Sequence, residues 1–408
     1  MTCVRKYFNS GIFLGLAILT KGPVALLICF LALIVRIILG WRPDWLQIKG
    51  LFILMATATL VGGSWFLVLF LNGQGQLIFD FINYQIRLFS TPDAGHGGIF
   101  FYHPIVLLFG CFPAAIPAAG ALFTINPRPH HFTKWMKILF WVTLILFSVV
   151  TTKIVHYSSL CYFPLTYLGA DYLLHREWNK TLSYLLLIIG AIIGLLLTVL
   201  PLVFAIAHTV NLGYLIKDSF VVGILSVDVW WTGLECLTGI VLLISLEIGY
   251  KDISQARVRQ GMAKVMIGTF ITVLLCLITI VPNVEWHVQR SAINFFKNHG
   301  HEEVYIRTLG FKSYADLYYS NASPFSNYRT WSSEWYLHGE IDKPVYFVCK
   351  ASFKNKVSRL YPHLKFVGAE GGFEFYSRPV PKPTSYIGPI SGELKNIELR
   401  QPQPPSRK

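Results

Sequence analysis

The 408-residue chain is long enough for two or three ordinary domains, but its composition excludes a soluble protein. Residues of the AVILMFWYC set make up 54% of the sequence, only 14% are charged, and the mean hydropathy is +0.51. Soluble domains carry roughly 25% charged residues. Intrinsic disorder, a coiled coil and a secreted disulfide scaffold are excluded as well. In a membrane protein the net charge of +14 reports topology and not nucleic-acid binding.

Apolar runs long enough to cross a bilayer, which takes about 20 residues, predict about eight transmembrane helices. The third run contains three prolines and is expected to kink. The fourth is short unless it begins earlier, around Phe132. The predicted fold class is therefore an all-α polytopic membrane domain, followed by a small α/β domain. The spans are predicted at 11–39, 51–71, 104–124, 138–151, 154–174, 182–207, 230–248 and 265–282.

The distribution of Lys and Arg predicts the topology. Twelve basic residues fall in the alternate segments 36–50, 125–137, 175–181 and 249–264, against three in 72–103, 152–153 and 208–229. The positive-inside rule places the basic-rich set in the cytoplasm. The loop 72–103 and the chain after residue 282 then lie outside. Residues 1–10, with Arg5 and Lys6, would also lie outside, which conflicts with the rule. We therefore expect a chain truncated at its N-terminus, lacking helices upstream.

The composition divides the chain into three predicted parts. Residues 1–282 form the membrane module, residues 283–378 an external α/β domain, and residues 379–408 a disordered tail rich in proline. An amphipathic helix is predicted at Asn283–His299. Strands are predicted at Glu303–Thr308, Asp316–Tyr319, Pro344–Val348 and Phe373–Tyr376.

Lys21 interrupts the first apolar run, within the stretch Leu19-Thr-Lys-Gly-Pro23. A charge inside a membrane helix costs at least about 2.5 kcal/mol on insertion scales unless it finds a partner or reaches the interface. Two interpretations are open. The lysine is a cation directed at an anionic group near the outer leaflet, or it reaches the interface, helped by the Gly-Pro break.

The loop 72–103 combines polar and aromatic side chains with glycines. Helical spacing places Asp80, Tyr84 and Arg87 along one face of its first half, and the glycine-rich second half is typical of a mobile lid over a substrate. The alternative is an interfacial helix with an aromatic belt. The turn between the fourth and fifth spans adds Lys153, His156 and Tyr157, which either converge on one ligand or anchor the interface. No metal-site spacing is present.

Four segments, in this order, resemble a known family, the bacterial GT-C membrane glycosyltransferases related to dolichyl-phosphate-mannose protein mannosyltransferase and to lipid A aminoarabinose transferase. The first contains Leu-Thr-Lys21-Gly-Pro, and the second runs from Arg87-Leu-Phe89 through Gly95-His96-Gly-Gly to Phe100-Phe-Tyr102. The third contains Lys153, His156, Tyr157 and Pro164. The fourth is the soluble end, with Leu309-Gly-Phe and Gly371-Gly-Phe-Glu-Phe-Tyr.

The resemblance implies an enzyme that moves a sugar from a polyprenyl-phosphate carrier to a lipid or protein acceptor at the outer face of the inner membrane. Its partners would be these substrates and membrane lipids, without nucleic acid. It implies no certain cofactor, and a divalent cation is compatible with it. Cations would neutralise the carrier phosphate. The implied substrate-binding residues are Lys21, Arg87, His96, Tyr102, Lys153, His156 and Tyr157.

The chain departs from the family in one respect. The family's acidic residue in the first external loop has no counterpart here, so the catalytic base is unassigned, with Asp80, Asp93 and His96 as fallback candidates. The fragment is then inactive alone or depends on a partner chain. The competing interpretations are a transporter that binds a lipid phosphate without chemistry and a non-catalytic membrane subunit.

Overall fold

A computed structural model describes residues 3–90, 97–124, 130–207, 216–322 and 333–380. The chain forms two compact units, one from residues 1–193 and 245–269 and the other from residues 194–244 and 270–408. The helices are α1 Cys3–Lys21, α2 Val24–Ile38, α3 Trp45–Leu71, α4 Gly75–Ser90, α5 Tyr102–Gly110, α6 Ala115–Phe123, α7 His131–Val149, α8 Tyr162–His175, α9 Lys180–Ala207, α10 Ser219–Leu225, α11 Leu237–Ser254, α12 Val258–Leu275, α13 Val281–His299, α14 Ala315–Tyr319, α15 Ser333–His338 and α16 Lys354–Leu360.

Several helices are long and apolar enough to cross a membrane, and the chain is a multi-pass membrane protein. In the described residues four helical stretches meet this criterion individually: Gln47–Leu71, His131–Val149, Lys180–Ala207 and Val258–His299. The shorter helix α2 is also apolar. The predicted spans 104–124, 154–174 and 230–248 each consist of two consecutive helical pieces. A count of single long helices is therefore lower than the eight predicted runs.

The predicted span 11–39 is wrong as a single helix, because the chain breaks it at Gly22-Pro23 into α1 and α2. Gly22 has φ +73°, a conformation that side-chain-bearing residues rarely adopt. Its amide donates to the Ile18 carbonyl at 2.8 Å, which closes the last turn of α1. Proline next in sequence prevents the helix from continuing. Lys21 is therefore the last residue of a helix and does not lie in the middle of a span.

Helix α1 runs parallel to α3. Tyr7 lies against Gly50, Gly11 against Leu54 and Ile18 against Gly62, so residue numbers increase together along the two helices. A Cβ atom added at Gly11 would come within 2.6 Å of the Leu54 carbonyl oxygen. Glycines thus allow the two backbones to approach closely.

Helix α2 runs antiparallel to α7. The Trp41 ring lies 6.1 Å from the Trp135 ring near the start of α7, whereas Val24 shares a cavity with Val150 at the end of α7. The same cavity contains the C-terminal ends of α1 and α3. The chain therefore crosses with α1, returns with α2 and crosses again with α3. Residues 3–10 lie at the same end as segment 36–50, and their predicted conflict with the positive-inside rule disappears.

The remaining predicted spans are confirmed in position, with shifted boundaries. The proline-rich third run is divided into α5 and α6, as the predicted kink requires, and the fourth begins early, at His131. The fifth opens with a 3₁₀ helix, Val155–Cys161, before α8. Helix α12 continues through a π-helical turn into α13, the predicted amphipathic helix. The predicted boundary at residue 282 falls within this continuous helix, and the three-part division stays a prediction.

The C-terminal part contains a four-stranded sheet in the order β1-β2-β4-β3. Strands β1 and β2 are parallel, and β4 is antiparallel to both of its neighbours. Period-two alternation gives β2 two buried faces. Phe347 packs with α15 and α16 residues, and Val348 packs with Phe295 and Phe296 of α13. The strands are β1 Tyr305–Leu309, β2 Val345–Lys350, β3 Lys365–Glu370 and β4 Phe373–Arg378.

One predicted strand is wrong, and one strand was not predicted. Residues Ala315–Tyr319 form helix α14, because the Ser313 hydroxyl accepts a hydrogen bond from the Ala315 amide and opens a helical turn. Strand β3 lacks a buried apolar face: Phe366 is 57% exposed and Val367 is 48% exposed. The predicted disordered tail beyond residue 380 lies outside the described residues.

Two adjacent glycines of α3 provide a matched test of the α1–α3 contact. A Cβ atom at Gly62 would meet the Ile18 Cβ at 2.8 Å, whereas a Cβ at Gly63 would meet nothing within 4 Å. We expect Gly62→Ala to destabilise the protein by about 1–3 kcal/mol through overpacking, and Gly63→Ala to be neutral or slightly stabilising because alanine favours a helix. Thermal unfolding in detergent measures both variants. Equal effects would contradict the parallel packing.

The α1–α2 break also predicts which chain segments share a side of the membrane. In a background without native cysteines, Val4→Cys and Leu39→Cys should react with an impermeant maleimide from one side, and Asn72→Cys from the other. A single helix over 11–39 would instead place residues 4 and 39 on opposite sides. Labelling intact and permeabilised cells distinguishes the two arrangements.

Candidate functional site

A cavity of about 580 Å³ lies where the ends of several helices of the first unit meet. The last turn of α1, the last turns of α3, one face of α4, the end of α7 and the 3₁₀ helix after it surround it. Most of its walls are apolar, and Lys21 is its charged residue. The lining residues are Ile18, Leu19, Thr20, Lys21, Gly22, Val24, Trp65, Phe66, Leu69, Leu77, Ile78, Phe81, Gln85, Phe147, Val150 and Tyr157.

Lys21 is an available cation at this cavity. Its side chain is exposed and, within the part of the chain that the structure describes, forms no hydrogen bond or ion pair. Its position in the last turn of α1 suits a cation, because the C-terminus of a helix carries partial negative charge. The Gly22 turn holds this end of α1 against α4: a Cβ atom at Gly22 would lie 3.1 Å from the Phe81 ring. The arrangement can hold an anion beside an apolar surface.

Tyr157 is the second predicted residue that the structure brings to the cavity. Its ring packs on Phe147 with a centroid distance of 5.4 Å, and its amide donates to the Ile154 carbonyl at 3.0 Å. Tyr157 thus adds an aromatic side chain with a hydroxyl group to the residues that line the cavity. The neighbouring His156 is exposed, contacts the Tyr157 ring at 5.2 Å, and does not line the cavity.

The prediction that Lys153 joins this group is not supported, because Lys153 caps helix α7. Its ammonium donates to the carbonyl oxygens of Phe147, Ser148 and Val150 at 3.2, 2.6 and 2.6 Å. These contacts use all three of its protons. The residue is 5% exposed, and burial lowers the pKa of its ammonium group. Lys153 therefore compensates the open carbonyl end of α7.

His103 connects the Lys153 turn to the start of α5. The side chain is fully buried, and its Nδ1 lies 3.1 Å from the Ser158 hydroxyl. Tyr102 packs edge-on against this ring at 5.1 Å and does not line the cavity.

The described end of the 72–103 loop is attached to the same turn. Gly97 forms an isolated antiparallel bridge with Thr152, and a Cβ atom at Gly98 would come within 2.9 Å of the Lys153 side chain. Glycine is therefore required here by close packing. Asp93 and His96, which the sequence placed at the site, lie outside the described residues.

Arg87 and Asp80 do not line the cavity, because α4 presents another face to it. Leu77, Ile78, Phe81 and Gln85 face the cavity, whereas Tyr84, Asp80 and Arg87 lie roughly 75°, 115° and 135° from the middle of that face at 3.6 residues per turn. The Arg87 guanidinium stacks over the Tyr84 ring at 5.2 Å. Asp80 accepts a hydrogen bond from the Gln76 amide at 3.0 Å. Of the four residues predicted to converge, Lys21 and Tyr157 line the cavity, and Arg87 and Lys153 do not.

Sequence reasoning did not identify the apolar wall of the cavity or its polar residue Gln85. The helical spacing of Leu77, Phe81 and Gln85 was available as a signal, but it does not show which element the face packs against. The divalent cation stays a prediction. Among the described residues no three His, Cys, Asp or Glu side chains form a group that could hold a metal ion.

Comparison with known proteins finds curated relatives and solved structures that are similar to this chain. No protein-family model matches the chain. The undecaprenyl phosphate-α-4-amino-4-deoxy-L-arabinose arabinosyl transferase of Aeromonas salmonicida is 27% identical over 176 residues, which are 41% of this chain and 31% of that protein. The enzyme of the same name from Edwardsiella ictaluri is 24% identical over 331 residues, 72% of this chain and 57% of that protein. The chain thus spans 31% and 57% of the length of these curated relatives.

The crystal structure of ArnT from Cupriavidus metallidurans bound to undecaprenyl phosphate is similar to this chain, with a TM-score of 0.63 and 14% sequence identity. The match covers 92% of this chain and 70% of that chain. The predicted fold class, a helical membrane domain with a small sheet, is therefore confirmed, and the fold is similar to that of ArnT. The resemblance to aminoarabinose transferases is confirmed in sequence and in fold.

Replacing the two lysines of the region should have unequal effects on stability. Lys153→Met removes three buried hydrogen bonds donated by a charged group. Such a bond contributes about 1.5–3 kcal/mol to the free energy of unfolding, so the midpoint of thermal unfolding should clearly fall. Lys21→Met removes a side chain without such partners and should change the midpoint little. Thermal unfolding in detergent compares the two. A larger loss for Lys21→Met would contradict these roles.

Proposed function

We propose that this chain is a membrane glycosyltransferase that takes a sugar from a polyprenyl-phosphate carrier and transfers it to a lipid or protein acceptor. The named relatives are undecaprenyl-phosphate aminoarabinose transferases, and the similar solved structure holds undecaprenyl phosphate. Because the chain spans only part of these relatives, the identity of the donor sugar is left to experiment, with the aminoarabinose donor tested first.

One observation carries the proposal: a lysine with no protein partner among the described residues stands at the edge of a largely apolar cavity. A polyprenyl-phosphate sugar has the matching chemistry, because an anionic phosphodiester joins the sugar to a long hydrocarbon chain. The Lys21 ammonium neutralises the phosphate, and the walls formed by Trp65, Phe66 and Leu69 accept the first isoprene units. Tyr157 offers a phenol to a phosphate oxygen.

The same groups account for the chemical step. A hydroxyl oxygen of the acceptor forms a bond to the anomeric carbon of the sugar, and the bond from that carbon to the phosphate oxygen breaks. The carrier phosphate leaves with the electron pair and gains negative charge. A fixed cation beside the leaving group stabilises that charge more in the transition state than in the ground state. Lys21 is placed for this role.

The proton of the acceptor hydroxyl must pass to a base. Among the fallback candidates, Asp80 lies within the described residues, on α4 beside the cavity wall and hydrogen-bonded to Gln76. Asp93 and His96 belong to the segment between α4 and α5. We propose Asp80 as the first residue to test and assign no base beyond it.

We further propose that the cavity opens at the outer face of a bacterial inner membrane and that the C-terminal domain is periplasmic. The helix order α1, α2, α3 places Arg5, Lys6 and segment 36–50 at one end of the unit, opposite the cavity. This basic end is expected in the cytoplasm. A site at the outer face matches a carrier that presents its sugar outside.

The binding experiment uses the full chain in detergent, titrated with undecaprenyl phosphate. Lys21→Gln should weaken binding about ten- to a hundredfold, since a hydrogen bond to a charged group contributes about 1.5–3 kcal/mol. Lys49→Gln is the matched control. Its ammonium lies over the Trp45 ring at the opposite end of α3, so the affinity should not change.

Turnover is measured separately, with membranes containing the full chain and a labelled undecaprenyl-phosphate aminoarabinose donor. Release of undecaprenyl phosphate that falls in Asp80→Asn, while carrier binding is retained, would support both the activity and the base. Binding without turnover would favour a carrier-binding transporter or subunit. Absence of carrier binding, or equal binding by the two lysine variants, would overturn the proposal.

A further inference from the structure

A second groove, of about 840 Å³, lies at the other end of the first unit. One wall is the end of α8 and the link to α9, residues 173–178, and the other is the turn between α11 and α12, residues 253–260. Helix α9 begins at Lys180 and α12 at Val258, and both belong to membrane-crossing stretches. The groove therefore lies at a boundary of the membrane.

The second wall is held in place by ion pairs between one buried carboxylate and two half-exposed cations. Asp252 is 4% exposed and lies 2.5 Å from both the Arg257 guanidinium and the Lys264 ammonium. The Gln255 side-chain oxygen accepts a further hydrogen bond from Arg257 at 2.6 Å. One carboxylate thus compensates two cations, so this wall keeps a net positive charge.

Arg259 connects the two walls of the groove. The Arg259 guanidinium donates to the carbonyl oxygens of Leu173 and Leu174, at 3.4 and 3.0 Å. Carbonyls satisfy its hydrogen-bond donors without neutralising its charge. Arg176 adds a guanidinium on the opposite wall, and its side chain forms no hydrogen bond or ion pair among the described residues. Glu177 is the acidic residue among those that line the groove. It offsets one of the three arginines, so the groove keeps a net positive charge.

We propose that this groove binds the headgroup of an anionic phospholipid. A phosphodiester fits between Arg176 and the arginines of the second wall, and guanidinium groups bind phosphate in a bidentate manner. Leu174, Ile253 and Val258 supply apolar surface beside these charges, as the glycerol and acyl chains of a lipid require. Basic pockets between membrane helices are suited to such headgroups.

The position of the groove selects a lipid over a free anion. Its volume far exceeds that of an inorganic phosphate, and it lies at the start of two membrane-crossing stretches. Under the proposed topology, the lipid bound in this groove belongs to the cytoplasmic leaflet. The binding itself does not depend on the glycosyltransferase activity, because the groove is at the end of the unit opposite the carrier cavity.

The test uses the full chain purified in detergent and titrated with phosphatidylglycerol, phosphatidylcholine or inorganic phosphate. Native mass spectrometry counts bound lipid, and the midpoint of thermal unfolding reports stabilisation. We expect phosphatidylglycerol to bind more tightly than phosphatidylcholine. Arg176→Gln should weaken phosphatidylglycerol binding about fivefold or more, as expected for one basic residue near an anionic lipid.

The matched control is Arg42→Gln, an exposed arginine in the segment between α2 and α3 that does not line the groove. It removes the same charge and should leave phosphatidylglycerol affinity unchanged. Equal weakening by the two variants would overturn the site in favour of diffuse surface attraction. Equal binding of phosphatidylcholine, or displacement of phosphatidylglycerol by millimolar inorganic phosphate, would overturn the anionic-lipid assignment.

Discussion

The cost of a charge inside a membrane helix is the constraint on which the first unit depends. A lysine at the centre of a spanning helix costs about 2.5–3.5 kcal/mol on insertion scales. The chain avoids this cost by ending α1 at Lys21, where Gly22 adopts a positive φ and Pro23 prevents continuation. The same break reverses the chain direction, brings α2 onto α7, and places the N-terminal basic residues beside segment 36–50.

Basic residues near helix ends fall into two groups in this protein. Lys153 and the cations around Asp252 are compensated internally, by α7 carbonyls in one case and by a buried carboxylate in the other. Lys21 and Arg176 have no such partners among the described residues. Lys21 stands beside a largely apolar cavity, and Arg176 lines a groove of mixed polar and apolar residues. Compensated cations stabilise the scaffold, whereas available cations mark the places where an anionic ligand completes the charge balance.

The glycosyltransferase proposal and the lipid proposal use the same chemistry at opposite ends of one unit. In both, an amphiphilic phosphate meets a cation and an apolar wall. The ends differ in their connections. At the carrier cavity, Gly22 packs against Phe81 of α4, and the Gly97-Gly98 segment before α5 is joined to the Lys153 turn by a close glycine contact and a β-bridge. At the second groove, Arg259 connects two loops through backbone carbonyls. A lipid at the second groove would support the helix ends there without entering the reaction.

The amino-acid sequence by itself determined the membrane class, the positions of most apolar helices, the amphipathic helix α13 and three of the four strands. These follow from composition and from periodic burial, which act locally along the chain. It also proposed Lys21 and Tyr157, which line the cavity, as site residues, and that role stays a prediction. Only the tertiary structure decided that Lys153 caps α7, that Arg87 does not line the cavity, and that residues 315–319 are helical. Each depends on the three-dimensional arrangement of the groups: the turn after α7 folds the Lys153 ammonium back onto the open carbonyls of that helix, and the packing of α4 decides which of its faces meets the cavity. Lys21 and Lys153 both follow a threonine at the end of an apolar run, and only their neighbours in space distinguish a lysine that caps three carbonyls from a lysine that faces an apolar cavity.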